Sequence, residues 1–297
     1  QGDPAAILLV EVRGESEQEL TDNLAALQCE TSYARAELFG EDSDKVWKLR
    51  AAGLGLLSNV PGDAKPVACI EDTAVRIDVL QDYIREFDAL MQDFGQESVY
   101  YAHAGAGELH LRPILNLKTS EGVRLLYEIS KASAALVKKY GGSLSGEHGD
   151  GRVRAAFIKD FYGPAVYPWM ESFKKAWDPD NRLNPGKIVG AKPMNEDLRY
   201  KVDRAEPVLD TQFTFPEEGG FLRAVEKCNG SGDCRRLPHT GALMCPSYMA
   251  SRDEWDSTRG RANVLRSVLT EQSTAGFEAP ELAEAMQHCV GCKGCTK

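Results

Sequence analysis

Between Ser145 and Gly151 the chain reads Ser-Gly-Glu-His-Gly-Asp-Gly, and this stretch limits the fold more than any other. Glycine is selected where the backbone must take angles that other residues avoid, or where a ligand approaches the main chain closely. Glycines 146, 149 and 151 therefore argue for a tight loop, with Glu147 and His148 aimed from it as individual side chains. About forty residues earlier, His103-Ala-Gly-Ala-Gly-Glu-Leu-His110 has the same glycine-spaced build. The two segments together offer imidazoles and a carboxylate to a divalent ion, with one imidazole to spare for acid–base work. On an uninterrupted strand His103 and His110 would face opposite ways. A turn or bulge permitted by Gly105 and Gly107 has to bring both to one ion. The competing reading is a pair of hydrogen-bonded core histidines.

The eight cysteines are unevenly placed. Cys29 and Cys69 stand alone in apolar settings, whereas Cys228, Cys234, Cys245, Cys289, Cys292 and Cys295 cluster towards the C-terminus. Cys289-x2-Cys292-x2-Cys295 matches the first three ligands of a bacterial ferredoxin run, in which the cysteine of a Cys-Pro pair ligates the other cluster. By that rule Cys245, which precedes Pro246, joins Cys289, Cys292 and Cys295 in one four-thiolate [4Fe–4S] site. Cys228 and Cys234 are then half of a second site. His239 is either its stand-in ligand or a plain loop histidine. Zinc, which prefers separated cysteine pairs, and a disulfide framework are the other readings. A metal cluster places the chain in a reducing, cytoplasmic compartment, and peripheral association with the inner membrane is compatible with that.

At 297 residues the chain has room for two domains. A net charge of −10 argues against a nucleic-acid partner. No apolar run reaches the roughly 18–20 residues of a membrane helix, and no secretory leader is visible. The run Ala5–Arg13 reads as a strand, followed by a helix from Ser16 to Cys29 and another from Asp42 to Leu57 that carries Arg50. Next come a strand over Lys65–Ile70, a helix over Ile77–Phe94, a strand over Ser98–Ala102, extended chain over Leu109–Leu115 and a helix over Ser120–Tyr140. Ala156–Trp177 reads as helical. The order implies an α+β fold, with an antiparallel sheet carrying helices on one face, followed by a small, mostly α-helical domain. The boundaries are drawn at 1–190 for the first domain, 191–216 for a proline-bearing linker and 217–297 for the cysteine domain, where Arg252–Glu271 reads as one charged helix. The natural protein is expected to be longer at both ends.

Ser145–Gly151, His103–His110 and Leu183-Asn-Pro-Gly-Lys187 resemble the C-terminal half of FAD-linked oxidases: the D-lactate, glycolate and D-2-hydroxyglutarate dehydrogenases of the vanillyl-alcohol-oxidase superfamily. Val46-Trp-Lys-Leu-Arg50 and Glu71-Asp-Thr-Ala-Val75 fit the same family. Cys228–Cys234, Met244-Cys-Pro-Ser-Tyr248 and Thr258-Arg-Gly-Arg261 resemble the ferredoxin-type module fused to its large members. The resemblance implies a ferredoxin-like cap domain with a metal site, zinc or manganese, at His103, His110 and Glu147. It implies His148 as catalytic base, Arg50 on the substrate carboxylate, and Asn184 and Lys187 near the flavin. It also implies that most of the FAD sits on an N-terminal domain outside this chain, without which turnover is not expected. Ala106 departs from the family's usual Asp and puts the surroundings of the metal in question.

The function so implied is part of a flavin-dependent 2-hydroxy-acid dehydrogenase, passing electrons from FAD through [4Fe–4S] clusters to an acceptor. Its rival is a non-catalytic electron-transfer or scaffold subunit whose histidine motifs are relics. A metal-dependent hydrolase ranks last, because it leaves the cysteines unexplained.

Overall fold

Alternate residues of β4 (Glu108–Leu115) are apolar, and that alternation sets the layout of the larger part of the molecule. Leu109, Leu111 and Leu115 are buried on one face, while the buried polar residues Glu108, His110 and Arg112 occupy the other. In this computed structural model, which describes residues 6–27, 39–241, 244–272 and 276–295, β4 is the centre of an antiparallel sheet. β2 (Ile70–Ala74) pairs along one edge, β3 (Ser98–His103) along the other, and the short β1 (Lys65–Pro66) pairs with the far end.

Helices cover the apolar face. In α3 (Leu80–Asp93), Tyr83, Phe87 and Met91 recur every fourth residue and are buried. α4 (Ser120–Lys139) starts at a capped end, where Thr119 Oγ1 accepts from the Gly122 amide at 3.0 Å. A Cβ on Gly122 would meet the Asn116 carbonyl at 1.9 Å, so only glycine fits. Ile129 and Val137 of α4 complete the core with Phe157 and Ile158 of α5 (Gly151–Trp177). α5 is two helical segments, broken at Gly163 (φ 68°) just before Pro164. The expected α+β architecture, an antiparallel sheet with many helices, is thus present.

Several boundaries differ from the sequence reading. The strand expected over Lys65–Ile70 is split into β1 and β2: the Cys69 amide turns back to the Val67 carbonyl at 2.8 Å, which takes the chain out of the ladder. The chain divides into two compact units, one ending at Gly53 and the other starting at Leu54. In the first, α1 (Glu17–Ala26) opens with a reciprocal cap: Ser16 Oγ accepts from the Glu19 amide at 3.2 Å, and Glu19 Oε2 accepts from the Glu15 amide at 2.8 Å. Cys29 lies outside the described residues. The expected strand over 5–13 is not formed by residues 6–13, and Ile7 and Leu8 are exposed. An apolar run becomes a strand only where a second edge completes its ladder, and no described residue supplies one there. α2 (Glu41–Ser58) forms close to its expected span.

Residues 190–215 are irregular, as expected, but they pack back onto the sheet unit. Asp203 accepts from the Ser120 amide at 3.0 Å at the head of α4. Beyond them lie α6 (Phe221–Glu226), α7 (Pro246–Ser251), α8 (Thr258–Ser267) and α9 (Pro280–Met286). The single helix expected over 252–271 is replaced by the end of α7, a turn, α8 and a π-turn. Arg252 takes φ 64° to close α7, and Ser257 Oγ accepts from the Gly260 amide at 2.8 Å to start α8 afresh. Among the described residues no helix is long and apolar enough to cross a membrane.

One ion network ties this region to the sheet. Arg223 Nη2 lies 2.6 Å from Asp63 Oδ2, and Lys118 Nζ lies 2.8 Å from Asp63 Oδ1 and 2.7 Å from Glu226 Oε2. The Arg223 hydrogen bond does most to hold the Asp63 carboxyl down at about 2, with burial opposing it and Lys118 helping. A depressed folded pKa means stability that is present above the unfolded value and lost as pH falls through the folded one. Asp63→Asn should therefore cost up to about 2 kcal/mol at neutral pH. The gap from wild type should close between pH ~4 and ~2. Urea denaturation across that range checks this, and a gap independent of pH would contradict it.

Candidate active site

The polar face of β4 gains its partners from three directions. Cross-strand pairing puts Glu71 and Tyr101 opposite His110, and His103 opposite Glu108. His103 and His110 converge because β3 and β4 form a hairpin. Gly107 makes the turn at φ 71°, where a Cβ would sit 2.0 Å from the Val75 carbonyl. The third direction is the loop at 145–150, which runs into α5. It is held by Asp72, a fully buried residue at a bulge in β2 with φ 79°. Aspartate tolerates this left-handed conformation better than most residues, and the bulge turns its carboxylate towards the loop. Asp72 Oδ1 accepts from the Glu147 amide at 2.9 Å and Oδ2 from the His148 amide at 2.8 Å, and Ser145 Oγ donates to Oδ2.

The result is a cluster of four side chains singled out in the sequence, His103, His110, Glu147 and His148. The imidazoles of His103 and His110 meet edge to face at 5.5 Å between ring centres, and His148 stacks on His110 at 5.7 Å. His103, His110 and Glu147 each present one ligand atom within 4.8 Å of the others. Asp72, Glu147 and His148 also meet that distance. Asp72, however, has its oxygens occupied by the loop amides and Ser145, so the first set is the better ion site. Glu147 Oε1 lies 2.9 Å from His148 Nε2. His110 is buried and its Nδ1 has no hydrogen-bond partner; Glu71 Oε1 is 3.4 Å away. Burial pushes the His110 pKa down, against the pull of Glu71. Glu71 is in turn fixed by Arg112, through contacts of 2.9 and 2.6 Å.

Sequence reasoning did not single out Glu71, Asp72, Glu108 and Arg112 as site residues. The signal for Glu108 and Arg112 was the period-two alternation of polar residues in β4, and nothing local marked the bulge in β2 that carries Glu71 and Asp72. Glu108 is buried, and its pKa is raised to about 7, first by its hydrogen bond to Asp72 and then by burial. Burial disfavours the charge of Asp72, yet hydrogen bonds from Glu108, Ser145 and the two loop amides outweigh it and hold its carboxyl well below the usual range. Of the two, Glu108 is the one that keeps a proton to higher pH, and Asp72 the one that holds the charge. Arg154, buried at the start of α5, donates to the Glu71 and Gly149 carbonyls, so its role is to hold the loop in place.

The other expected residues lie elsewhere. Arg50 is on α2 in the N-terminal unit, with its guanidinium 5.9 Å from the Trp47 ring centre. Asn184 (φ 49°) and Lys187 line an open groove beside the exposed aromatics Trp169, Phe173 and Trp177. Cys234 and Cys245 are buried, Cys228 is half-buried, and Cys289, Cys292 and Cys295 are exposed; all six are free thiols. His239 is exposed on a short turn.

Comparison with known proteins gives a consistent answer. The family model "FAD linked oxidases, C-terminal domain" matches residues 1–188. A D-2-hydroxyglutarate dehydrogenase of Pseudomonas putida is 38% identical over 282 residues, covering 92% of this chain and 28% of its own length. One from Escherichia coli is 35% identical over 244 residues, covering 82% and 24% respectively. A D-lactate dehydrogenase of Archaeoglobus fulgidus is 33% identical over 150 residues, covering 50% and 31%. The chain thus spans less than a third of the length of these relatives, and the likeness to the first runs well past the family match into the cysteine-bearing part. The hairpin histidines and the Asp72-held loop both fall within residues 1–188, which match the C-terminal domain of FAD-linked oxidases, and the chain belongs to that family.

Proposed function

We propose that this chain is the substrate-side and electron-relay portion of a flavin-dependent D-2-hydroxy-acid dehydrogenase. The names of the relatives narrow the substrate to D-2-hydroxyglutarate or a close analogue. The observation that carries the reading is the loop held by Asp72, which sets His148 beside the donor set His103, His110 and Glu147. Two histidines and one carboxylate leave coordination positions open, as in catalytic rather than structural ion sites. The unpartnered, buried Nδ1 of His110 faces Glu71, which leaves the opposite ring nitrogen for an ion. A divalent ion, zinc or manganese, supplies positive charge where negative charge builds on the substrate oxygen. His148 takes the hydroxyl proton, and Arg50 is assigned to the substrate carboxylate. FAD supplies the acceptor for the α-hydrogen and its two electrons, and the groove at Asn184 and Lys187, apolar and aromatic-lined, suits the flat face of a flavin.

The cysteine module fits a thiolate-held cluster. Cys234 Sγ accepts from the Arg259 amide at 3.4 Å, and Cys245 Sγ lies 3.5 Å from Arg261 Nη1. Ser247, two residues after Cys245, donates to the carbonyl of His288, which directly precedes Cys289. This contact joins α7, which Cys245 precedes, to the residue before Cys289, and it supports the assignment of Cys245 with the run Cys289, Cys292, Cys295. A four-iron cluster on those cysteines supplies a one-electron carrier from a two-electron flavin towards a downstream acceptor.

Titration of zinc or manganese into the metal-free protein tests the ion site. About one ion should bind per chain, and His103→Ala combined with His110→Ala should weaken it at least a hundredfold, since two of three protein ligands are lost. Equal binding by the double variant would overturn the assignment. Iron–sulfur signal without any ion in the first domain would favour the electron-transfer subunit instead.

A further inference from the structure

Arg261 is a buried cation in the cysteine module, only 8% exposed. Its Nε donates to the Ala285 carbonyl at 2.9 Å, and Nη1 reaches Cys245 Sγ at 3.5 Å. Nη2 is buried with no hydrogen-bond partner; the nearest carboxylate oxygen, Asp256 Oδ1, is 3.6 Å away. Asp256, itself buried, is also shared with His288 Nδ1 at 3.0 Å. A buried guanidinium needs an anion, and the buried Asp256 carboxylate supplies one from 3.6 Å, an ion pair beyond hydrogen-bond range that leaves Nη2 without an acceptor. The Cys245 thiol itself donates to the Asp256 carbonyl at 3.0 Å, and a neutral thiol is a weak acceptor, so Nη1 is fully used only where that sulfur is a thiolate.

The first turn of α8 is shaped around this arrangement. Ser257 caps it, and Gly260 is required because a Cβ there would meet the Glu254 carbonyl at 2.1 Å. That close approach places Arg259 and Arg261 on either side of the glycine, one backbone amide against Cys234 and one guanidinium against Cys245.

We propose that Arg261 sets the reduction potential of the four-iron cluster held by Cys245, Cys289, Cys292 and Cys295, by placing a buried positive charge and an N–H donor on the Cys245 sulfur. The inference rests on the cluster reading given above. On reduction the cluster gains one electron and one unit of negative charge, and no proton or bond is transferred. A cation against a ligand sulfur stabilises that reduced form more than the oxidised one, and so raises the potential. Arg261 is thus a positioning residue that acts through Cys245.

The test is an EPR-monitored titration with dithionite, on full-length protein purified without oxygen, for wild type, Arg261→Met, Arg261→Gln and Arg261→Lys. Iron and sulfide analysis of the wild type reads the cluster assignment separately, and its failure would remove the proposal together with that reading. With the cluster present, Arg261→Met should shift the reduction equilibrium at least tenfold towards the oxidised form, about 59 mV lower for one electron. Arg261→Gln keeps a donor without the charge and should also fall below wild type, while Arg261→Lys should restore most of the difference. Where Arg261→Met carries no iron, the Gln and Lys variants decide. A Gln variant with full iron and sulfide and a wild-type midpoint overturns the proposal.

Discussion

Asp72→Ala should destabilise the protein by about 3–5 kcal/mol and weaken ion binding at the proposed site of His103, His110 and Glu147 by at least tenfold. Asp72 is fully buried, and its carboxylate takes the Glu147 amide, the His148 amide and the Ser145 hydroxyl at once. Removing it leaves those donors facing a void, each at a cost of roughly 1–3 kcal/mol. It also removes the carboxylate that most raises the Glu108 pKa. Because the Asp72 carboxyl is held well below its usual range, its contribution is complete at neutral pH and disappears only in strong acid. Alanine adds a backbone penalty at φ 79° that glycine avoids. Asp72→Gly therefore separates the two effects: it should recover part of the stability but none of the ion affinity. Denaturation curves and ion titrations on both variants check this. An Asp72→Gly protein that binds the ion like wild type would mean that the loop holds its shape without the carboxylate.

The loop itself was readable in the sequence because glycine spacing is a local signal. Its anchor was not. Asp72 sits in a stretch that reads as the continuation of a strand, and the bulge that turns it inward exists only relative to β4, 38 residues further on at His110. Convergence of His103 and His110 was expected from Gly105 and Gly107, and a hairpin with antiparallel pairing achieves it. The apolar run at 5–13 shows the converse: local propensity was strong, but a strand is a property of two segments, and the described residues contain no second one for it. The long helix expected over 252–271 failed for a local reason. Asp253 and Ser257 cap new turns with their own side chains, and that competes with helix continuation. The cysteine spacing spoke for a cluster, whereas the contact of Arg261 with Cys245 spans a turn and two helices and could be seen only in three dimensions.

His148→Ala, tested in the full-length flavin enzyme, should lower kcat by roughly 10²–10⁴-fold, the usual worth of a positioned general base. Flavin and ion content should be unchanged. The fold should tolerate the change because what the loop needs from residue 148 is its amide, donated to Asp72 at 2.8 Å, and alanine keeps that amide. The ring is about half exposed, with the side chain at 48%, so its removal should shift stability by less than about 1 kcal/mol. What is lost is the nitrogen: Nε2 is 2.9 Å from Glu147 Oε1, and an ion held by His103, His110 and Glu147 would compete for that carboxylate and leave Nε2 to a substrate proton. Glu147→Gln makes the complementary case. It removes the charge that draws the ion while sparing His148, so it should lose ion affinity first and turnover as a consequence. A His148→Ala enzyme with wild-type kcat would return the histidine to a purely structural stacking partner of His110. Loss of turnover without loss of flavin, ion or stability would leave proton transfer as the step it performs.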